Sequence, residues 1–187
     1  MQFLNFVLLT ALDLYIAILL LRVWMQWVRC DFYNPFAQFI VKITQPVVRP
    51  LRRFIPAVGP IDTASVVLVY PLVLIKIMLP VWLTTGQFIM PSAIIFLIGI
   101  IELLTAVGKL IFWLVIARAL LSWISQGKNP VDYVLIQLTE PLMAPIRRII
   151  PTMGGLDFSA MIVMLILYAL NALRYDVMGW LVSMFGS

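Results

Sequence analysis

The sequence predicts an all-α, polytopic membrane bundle built from two parallel repeats of helix, amphipathic elbow and helix. Of its 187 residues, 64% are hydrophobic and only 11% are charged, whereas a soluble domain is about half apolar and about a quarter charged. Four stretches are long and apolar enough to cross a hydrocarbon core of about 30 Å. One basic, proline-rich segment occurs twice, as TQPVVRPLRRFIPAVGPID and TEPLMAPIRRIIPTMGGLD.

The four predicted spans are residues 3–24, 63–83, 97–121 and 159–182. The stretch GQFIMPSAIIFLIGII is apolar but short and contains a proline, so three interpretations stay open. The stretch either extends the third span, lies at the membrane interface, or forms a short re-entrant segment. The N-terminal MQFLNF has no positive region and no small-residue cleavage site, so the first span is predicted to be a retained helix.

The repeat is visible by direct alignment. Residues 34–62 and 129–157 share eleven of 29 positions. The units predicted from this alignment are a first repeat at 1–83, a linker at 84–96 and a second repeat at 97–187, with elbows at 28–62 and 125–157.

The basic residues predict the topology. Ten of the thirteen lie in or next to the two elbows: Arg22, Arg29, Lys42, Arg49, Arg52, Arg53, Arg118, Lys128, Arg147 and Arg148. Lys and Arg accumulate in cytoplasmic loops. Both elbows are therefore predicted to face the cytoplasm, with both termini outside, and the repeats to be related by a pseudo-two-fold axis along the membrane normal.

Each elbow is predicted to contain a short amphipathic helix with its apolar side chains at the acyl boundary. Pro46 and Pro141 are predicted to stop these helices. Four polar residues are predicted to cap the elbow helices or the spans that follow them: Asn34, Asn129, Asp62 and Asp157.

The elbow arginines are the candidate binding residues: Arg49, Arg52, Arg53, Arg147 and Arg148. Two interpretations stay open. In the first, these arginines only anchor the topology. In the second, they form a specific site for an anionic lipid or an acidic partner protein.

Four of the charged residues inside the predicted spans are candidates for intramembrane ion pairs. Asp13 and Lys109 lie nine residues before Arg22 and Arg118, at equivalent repeat positions near the bilayer midplane. Lys76 and Glu102 lie further from the elbows. Depth and sign predict the pairs Asp13–Lys109 and Glu102–Lys76, which either lock the bundle or line an ion or proton path.

Several function classes are disfavoured. The chain has no histidine and one cysteine, Cys30, so a disulfide within the chain, the common zinc spacings and the usual axial haem ligand are excluded. No enzyme activity, cofactor or metal is predicted. The net charge of +5 is assigned to membrane topology rather than to nucleic-acid binding.

The motifs LLLRVWMQW, DFYNPF, LSWI and NPVDY, together with the two elbow segments, closely resemble the YggT family, also called YlmG-like. The resemblance covers essentially the whole chain. It implies a multi-pass protein of the bacterial inner membrane or the thylakoid. Relatives are linked to cell division and nucleoid or septum organisation, to osmotic-stress tolerance and to cytochrome b6 assembly. The last role is not carried over, because this chain offers no haem ligand.

The function expected is a non-enzymatic inner-membrane scaffold or assembly factor, which presents the two elbows to binding partners. The predicted partners are anionic membrane lipids and an unidentified membrane or cytoplasmic protein, with a homo-oligomer left open. The alternative is an oligomeric ion channel or transporter acting in osmotic-stress adaptation.

Overall fold

The computed structural model describes residues 2–56, 59, 62–88, 90, 92–125, 129–150 and 158–185. Its regular elements are α-helices. They are α1 (Gln2–Trp27), α2 (Pro35–Leu51), α3 (Thr63–Thr85), α4 (Ala93–Ser125), α5 (Pro130–Ile149) and α6 (Ser159–Phe185).

Four of these helices are long and apolar enough to cross a membrane, which confirms the predicted fold class. The spans lie at Phe3–Trp27, Thr63–Thr85, Ala93–Leu121 and Ser159–Leu181. Helix α4 begins at Ala93, inside the stretch predicted as a linker, so the apolar residues from Ala93 onwards extend the third span. The connection between α3 and α4 is therefore shorter than predicted.

The prediction that the elbow helices stop at Pro46 and Pro141 is wrong. Helix α2 continues to Leu51, and α5 continues to Ile149. A proline has helical φ and costs mainly one backbone hydrogen bond and a local clash. The residues beyond each proline are held by burial, since Val48 is fully buried and Met143 is 2% exposed. Packing of these side chains offsets the loss.

The apolar faces of α2 and α5 are buried within the protein rather than in the acyl boundary. They share one core with the ends of α1 and α4, formed by Met25, Ala37, Ile40, Leu110, Leu114, Val134, Leu135 and Leu138. The prediction that the apolar stripes enter lipid is therefore wrong for most of their length. Phe39, 57% exposed, and Phe54, 84% exposed, still face outward.

Hydrogen bonds join the two repeats at this core. The Trp24 indole donates to the Leu138 carbonyl oxygen at 3.0 Å, and the Asn34 amide donates to the Pro130 carbonyl oxygen at 2.7 Å. The elbows are thus one continuous layer at one end of the bundle.

Candidate functional site

A buried carboxylate organises the first elbow. Asp62 Oδ2 lies 3.1 Å from Arg22 Nε and 2.6 Å from Arg52 Nη2. It also accepts a hydrogen bond from Ser65 Oγ at 2.8 Å. Arg22 in turn donates to the hydroxyl of Thr44 on α2. These five residues, the first-elbow cluster, tie the end of α1 to α2 and to the start of α3.

Asp62 lies at the N-cap of α3 but makes no side-chain cap hydrogen bond. The prediction that the Asp62 side chain caps α3 is therefore wrong. Its carboxylate binds the two arginines and not a backbone N–H group of the helix. Burial opposes ionisation of Asp62. Hydrogen bonds from Arg52 and Ser65, and the charges of Arg52 and Arg22, outweigh it and hold the pKa of this carboxyl below its usual value.

The second elbow repeats part of this arrangement. Arg118 Nη1 donates to Thr139 Oγ1 at 2.6 Å and lies 3.6 Å from Glu140 Oε2. Arg147 Nη2 lies 2.6 Å from the same carboxylate oxygen. Asp157, predicted as the equivalent cap, lies outside the described residues. The arginine–threonine contact between span and elbow is therefore common to both repeats.

The two elbow helices begin at the predicted caps. The Asn34 side-chain oxygen accepts from the Phe36 backbone N–H at 2.9 Å, and that of Asn129 accepts from the Val131 N–H at 3.0 Å. A proline follows each asparagine at the first helical position. These caps fix where each elbow helix starts.

The five candidate arginines separate into two groups. Arg52 and Arg147 are held by carboxylates of the protein itself. The side chains of Arg49, Arg53 and Arg148 are exposed and make no hydrogen bond or ion pair with the residues that the structure describes. The members of each Arg-Arg pair thus differ, because the first points into the fold and the second points outward.

An open cleft of about 1010 Å³ lies along the outer face of α2. Lys42, Arg49 and Arg53 line it, together with Gln38 and Gln45, and none of its nine lining residues is acidic. Lys42 and Arg49 are seven residues apart and so lie on one side of α2, while Arg53 lines the same cleft from the turn just after the helix. We call this groove the cation cleft.

A second cleft of about 250 Å³ adjoins the first and is lined by Arg22 and Arg52. Phe32, Val41 and Gln45 line both clefts. The first-elbow cluster therefore lies beside the cation cleft.

The intramembrane charges pair differently from the prediction. Lys76 Nζ lies 2.5 Å from Asp13 Oδ1, and Arg174 Nη1 lies 2.8 Å from Glu102 Oε1. The predicted pairs Asp13–Lys109 and Glu102–Lys76 are therefore wrong. Helix α1 packs against α3, and α4 against α6, so each carboxylate meets a cation of its own repeat.

Lys109 is left on the surface of α4. Its side chain makes no hydrogen bond or ion pair within the described part of the chain. Arg174, by contrast, also lies over the ring of Tyr175, 4.5 Å from its centroid.

Sequence reasoning missed the arginine–threonine contacts of Arg22 with Thr44 and of Arg118 with Thr139. The signal was present, since each arginine and each threonine has an identical equivalent in the other repeat. An arginine that ends a span and a threonine that faces the core of an elbow helix are a recognisable combination.

This layer contains one free cysteine, Cys30. Within the described ranges, no three His, Cys, Asp or Glu side chains are grouped as metal ligands would be. Cys30 is 4% exposed and donates to Gln137 Oε1 at 3.0 Å. Burial raises the pKa of its thiol, which disfavours the reactive thiolate.

Similar sequences match this chain over nearly their whole length. The chain is 53% identical over 171 residues to YggT of Escherichia coli (strain K12), covering 91% of this chain and 88% of that protein. It is 48% identical over 179 residues to a protein of the proC 3' region of Vibrio alginolyticus, covering 96% and 97%. A Haemophilus influenzae protein is 38% identical over 168 residues, covering 89% of each chain.

No solved structure matches the chain significantly. The CCB3/YggT family matches residues 1–83 and 97–178, in two parts that correspond to the two repeats. This multi-pass membrane protein therefore belongs to the CCB3/YggT family.

Proposed function

We propose that the protein is a non-enzymatic scaffold of the bacterial inner membrane that holds anionic lipid, and with it partner proteins, at the cytoplasmic face of its first elbow. The observation that carries this proposal is the cation cleft. Three cations line it, none is held by a carboxylate of the described chain, and no lining residue is acidic.

The fold supports this role by fixing the cleft in place. The opposite face of α2 is buried, with Ala37, Thr44 and Val48 fully inaccessible to solvent. The position of the cleft residues is therefore set by the protein core before any ligand arrives, which lowers the entropic cost of binding. Arginine binds phosphate oxygens in a bidentate manner.

Exposed apolar side chains near the cleft suit a lipid better than a soluble anion. Val47 is 40% exposed and Phe54 is 84% exposed, and they lie next to Pro46 and Arg53 of the cleft lining. A headgroup in the cleft would leave its acyl chains beside these residues. This arrangement matches an interfacial segment that combines basic and apolar contacts.

Replacing Lys42, Arg49 and Arg53 together by Gln is expected to reduce the amount of bound anionic phospholipid. Each cation contributes on the order of 1 kcal/mol near an anionic surface. The measurement is native mass spectrometry of protein released from nanodiscs that contain phosphatidylglycerol and phosphatidylethanolamine. The difference from the wild type should shrink as salt rises, because the charges are screened.

The matched control is Arg148→Gln, which removes an exposed cation of the second elbow outside the cleft. Its loss of bound anionic phospholipid should be smaller than that caused by replacing Lys42, Arg49 or Arg53 singly by Gln. Equal lipid retention by the triple variant and the wild type would contradict the proposal and leave the cleft cations as topology anchors.

The proposal places both elbows in the cytoplasm, on the basis of their basic residues. Single cysteines at Lys42 and Arg148, both exposed, should react with a membrane-impermeant maleimide only in inverted vesicles. Cys30 should react slowly, because it is buried and its thiol pKa is raised. Labelling of the two positions from opposite sides of the membrane would overturn the parallel arrangement.

The scaffold is favoured over an oligomeric channel or transporter by the ion pairs inside the membrane. Asp13 is bound by Lys76, and Glu102 by Arg174. Each carboxylate is thus already engaged by a cation of its own repeat, as expected of contacts that stabilise a bundle. Roles in cell division or osmotic adaptation would follow from the proteins gathered at the elbows.

A further inference from the structure

Lys109 has no counter-charge in the described chain, although it lies near the middle of the span Ala93–Leu121. It is nine residues from Arg118 at the elbow end of α4, or about 13–14 Å along the helix. Its side chain is exposed on the surface of the single chain. An ionised group at this depth normally faces protein or water and is paired.

The two repeats differ in whether this position has a counter-charge. The first repeat places Asp13 against Lys76. The equivalent positions of the second repeat are Lys109 and Asn171. A neutral pair in one repeat is therefore a cation and an amide in the other.

Lys109 and Asn171 lie on adjacent, antiparallel helices. A Cβ at Gly108 would lie 3.8 Å from Leu167, and Glu102 pairs with Arg174 one to two turns further along. Asn171 is then about one helical turn from the height of Lys109. The side-chain amide of Asn171 is exposed and has no hydrogen-bond partner among the described residues.

We propose that this face of α4 and α6 is a contact surface for a second copy of the chain, whose Asp13 pairs with Lys109. Asp13 lies nine residues before Arg22, so it has the same depth as Lys109. Its side chain is 48% exposed even though it binds Lys76. An ionised carboxylate has about four acceptor positions, so it can receive both lysines.

The other possible counter-charges fit less well. Glu102 is bound to Arg174, with a side chain only 19% exposed, and lies seven residues further from the elbow. Lipid phosphates lie beyond a hydrocarbon half-thickness of about 15 Å. Asp13 alone combines the depth, the charge and the exposure within the described chain.

The proposed interface is heterologous, because one copy contributes Asp13 and the other contributes Lys109. Each copy carries both halves, so two singly defective variants can complete one contact between them. This property provides a direct test.

Wild-type protein labelled with donor or acceptor dye is reconstituted in dilute vesicles, and association is measured by energy transfer. Asp13→Asn alone and Lys109→Met alone should each weaken association on the order of tenfold. An equimolar mixture of the two variants should recover association, since Lys109 of the first meets Asp13 of the second. Asp31→Asn changes an exposed carboxylate in the loop between α1 and α2, outside the spans, and should leave association unchanged.

Lys109→Met separates the interface from folding, because this lysine loses no partner within the described chain. It should retain the thermal stability of the monomer while losing association. Three results would each overturn the proposal: a monomeric wild type in the bilayer, association of Lys109→Met equal to that of the wild type, and failure of the mixed variants to recover.

Discussion

Asp62→Asn is expected to lower the free energy of unfolding by roughly 3–5 kcal/mol, the cost of leaving a buried charge uncompensated. Arg22 is 5% exposed and would lose its ionic partner, and Arg52 would lose the same carboxylate. Thermal unfolding in mild detergent measures the change. Arg22→Met should cost less, because Asp62 would keep Arg52 and Ser65.

Asp31→Asn is the matched control, since it changes an exposed carboxylate outside the spans whose hydrogen bond from the Tyr33 backbone N–H an asparagine oxygen can still accept, and it should be nearly neutral. The effect of Asp62→Asn should depend on pH. Because the folded-state pKa of Asp62 is lowered, its contribution is complete above the ordinary aspartate pKa of about 3.9. It is lost as pH falls through the lowered value. An unchanged melting temperature at neutral pH would refute the structural role of the first-elbow cluster.

Asp13→Asn and Lys76→Met are each expected to destabilise the protein by up to roughly 2.5–3.5 kcal/mol, because each leaves an unpaired charge inside the membrane span. The double variant should recover much of this loss. The coupling free energy of the double-mutant cycle should be on the order of 1–2 kcal/mol. Thermal unfolding in dilute detergent, where association is minimal, is the measurement.

A second cycle serves as the control for this pair. Under the same dilute conditions, Asp13→Asn and Lys109→Met should be additive, because the two residues do not meet within one chain. Coupling near zero between Asp13 and Lys76 would count against the observed pair. Loss of osmotic protection in Asp13→Asn at unchanged stability would favour an ion path instead.

The sequence predicted those parts of the fold that depend on one helix at a time. Span length and apolarity identified four membrane helices, and the Asn-Pro pairs at residues 34–35 and 129–130 marked where the elbow helices start. Each of these signals is local. None requires knowledge of which helices are neighbours.

The ion pairs could not be predicted in this way. Position along a helix gives the depth of Asp13 and Lys109, but not the direction in which each side chain points or the helix it faces. Asp13 meets Lys76 because α1 packs on α3. The proline prediction failed for a related reason, since it weighed a lost hydrogen bond without the burial of Val48 and Met143 that offsets it.

The sequence identifies which elbow residues are basic, but not which of them are engaged by carboxylates of the protein. The sequence marks the Arg-Arg pairs as basic, and it does not show that Asp62 and Glu140 engage Arg52 and Arg147. The cations of the cation cleft are therefore Lys42, Arg49 and Arg53. Of these, Lys42 enters the sequence analysis only as evidence for topology and not as a binding residue.

The core shared by the two elbows has a consequence for synthesis of the protein. Ile40 packs in a cluster with Leu138, and Leu138 is translated 98 residues later. At about 5–20 residues per second, the apolar face of α2 waits roughly 5–20 s for its partner. The contacts of Asp62 with Arg22 and Arg52 lie wholly within the first repeat and can form during that interval. These contacts would hold the first elbow in position until α5 has been synthesised.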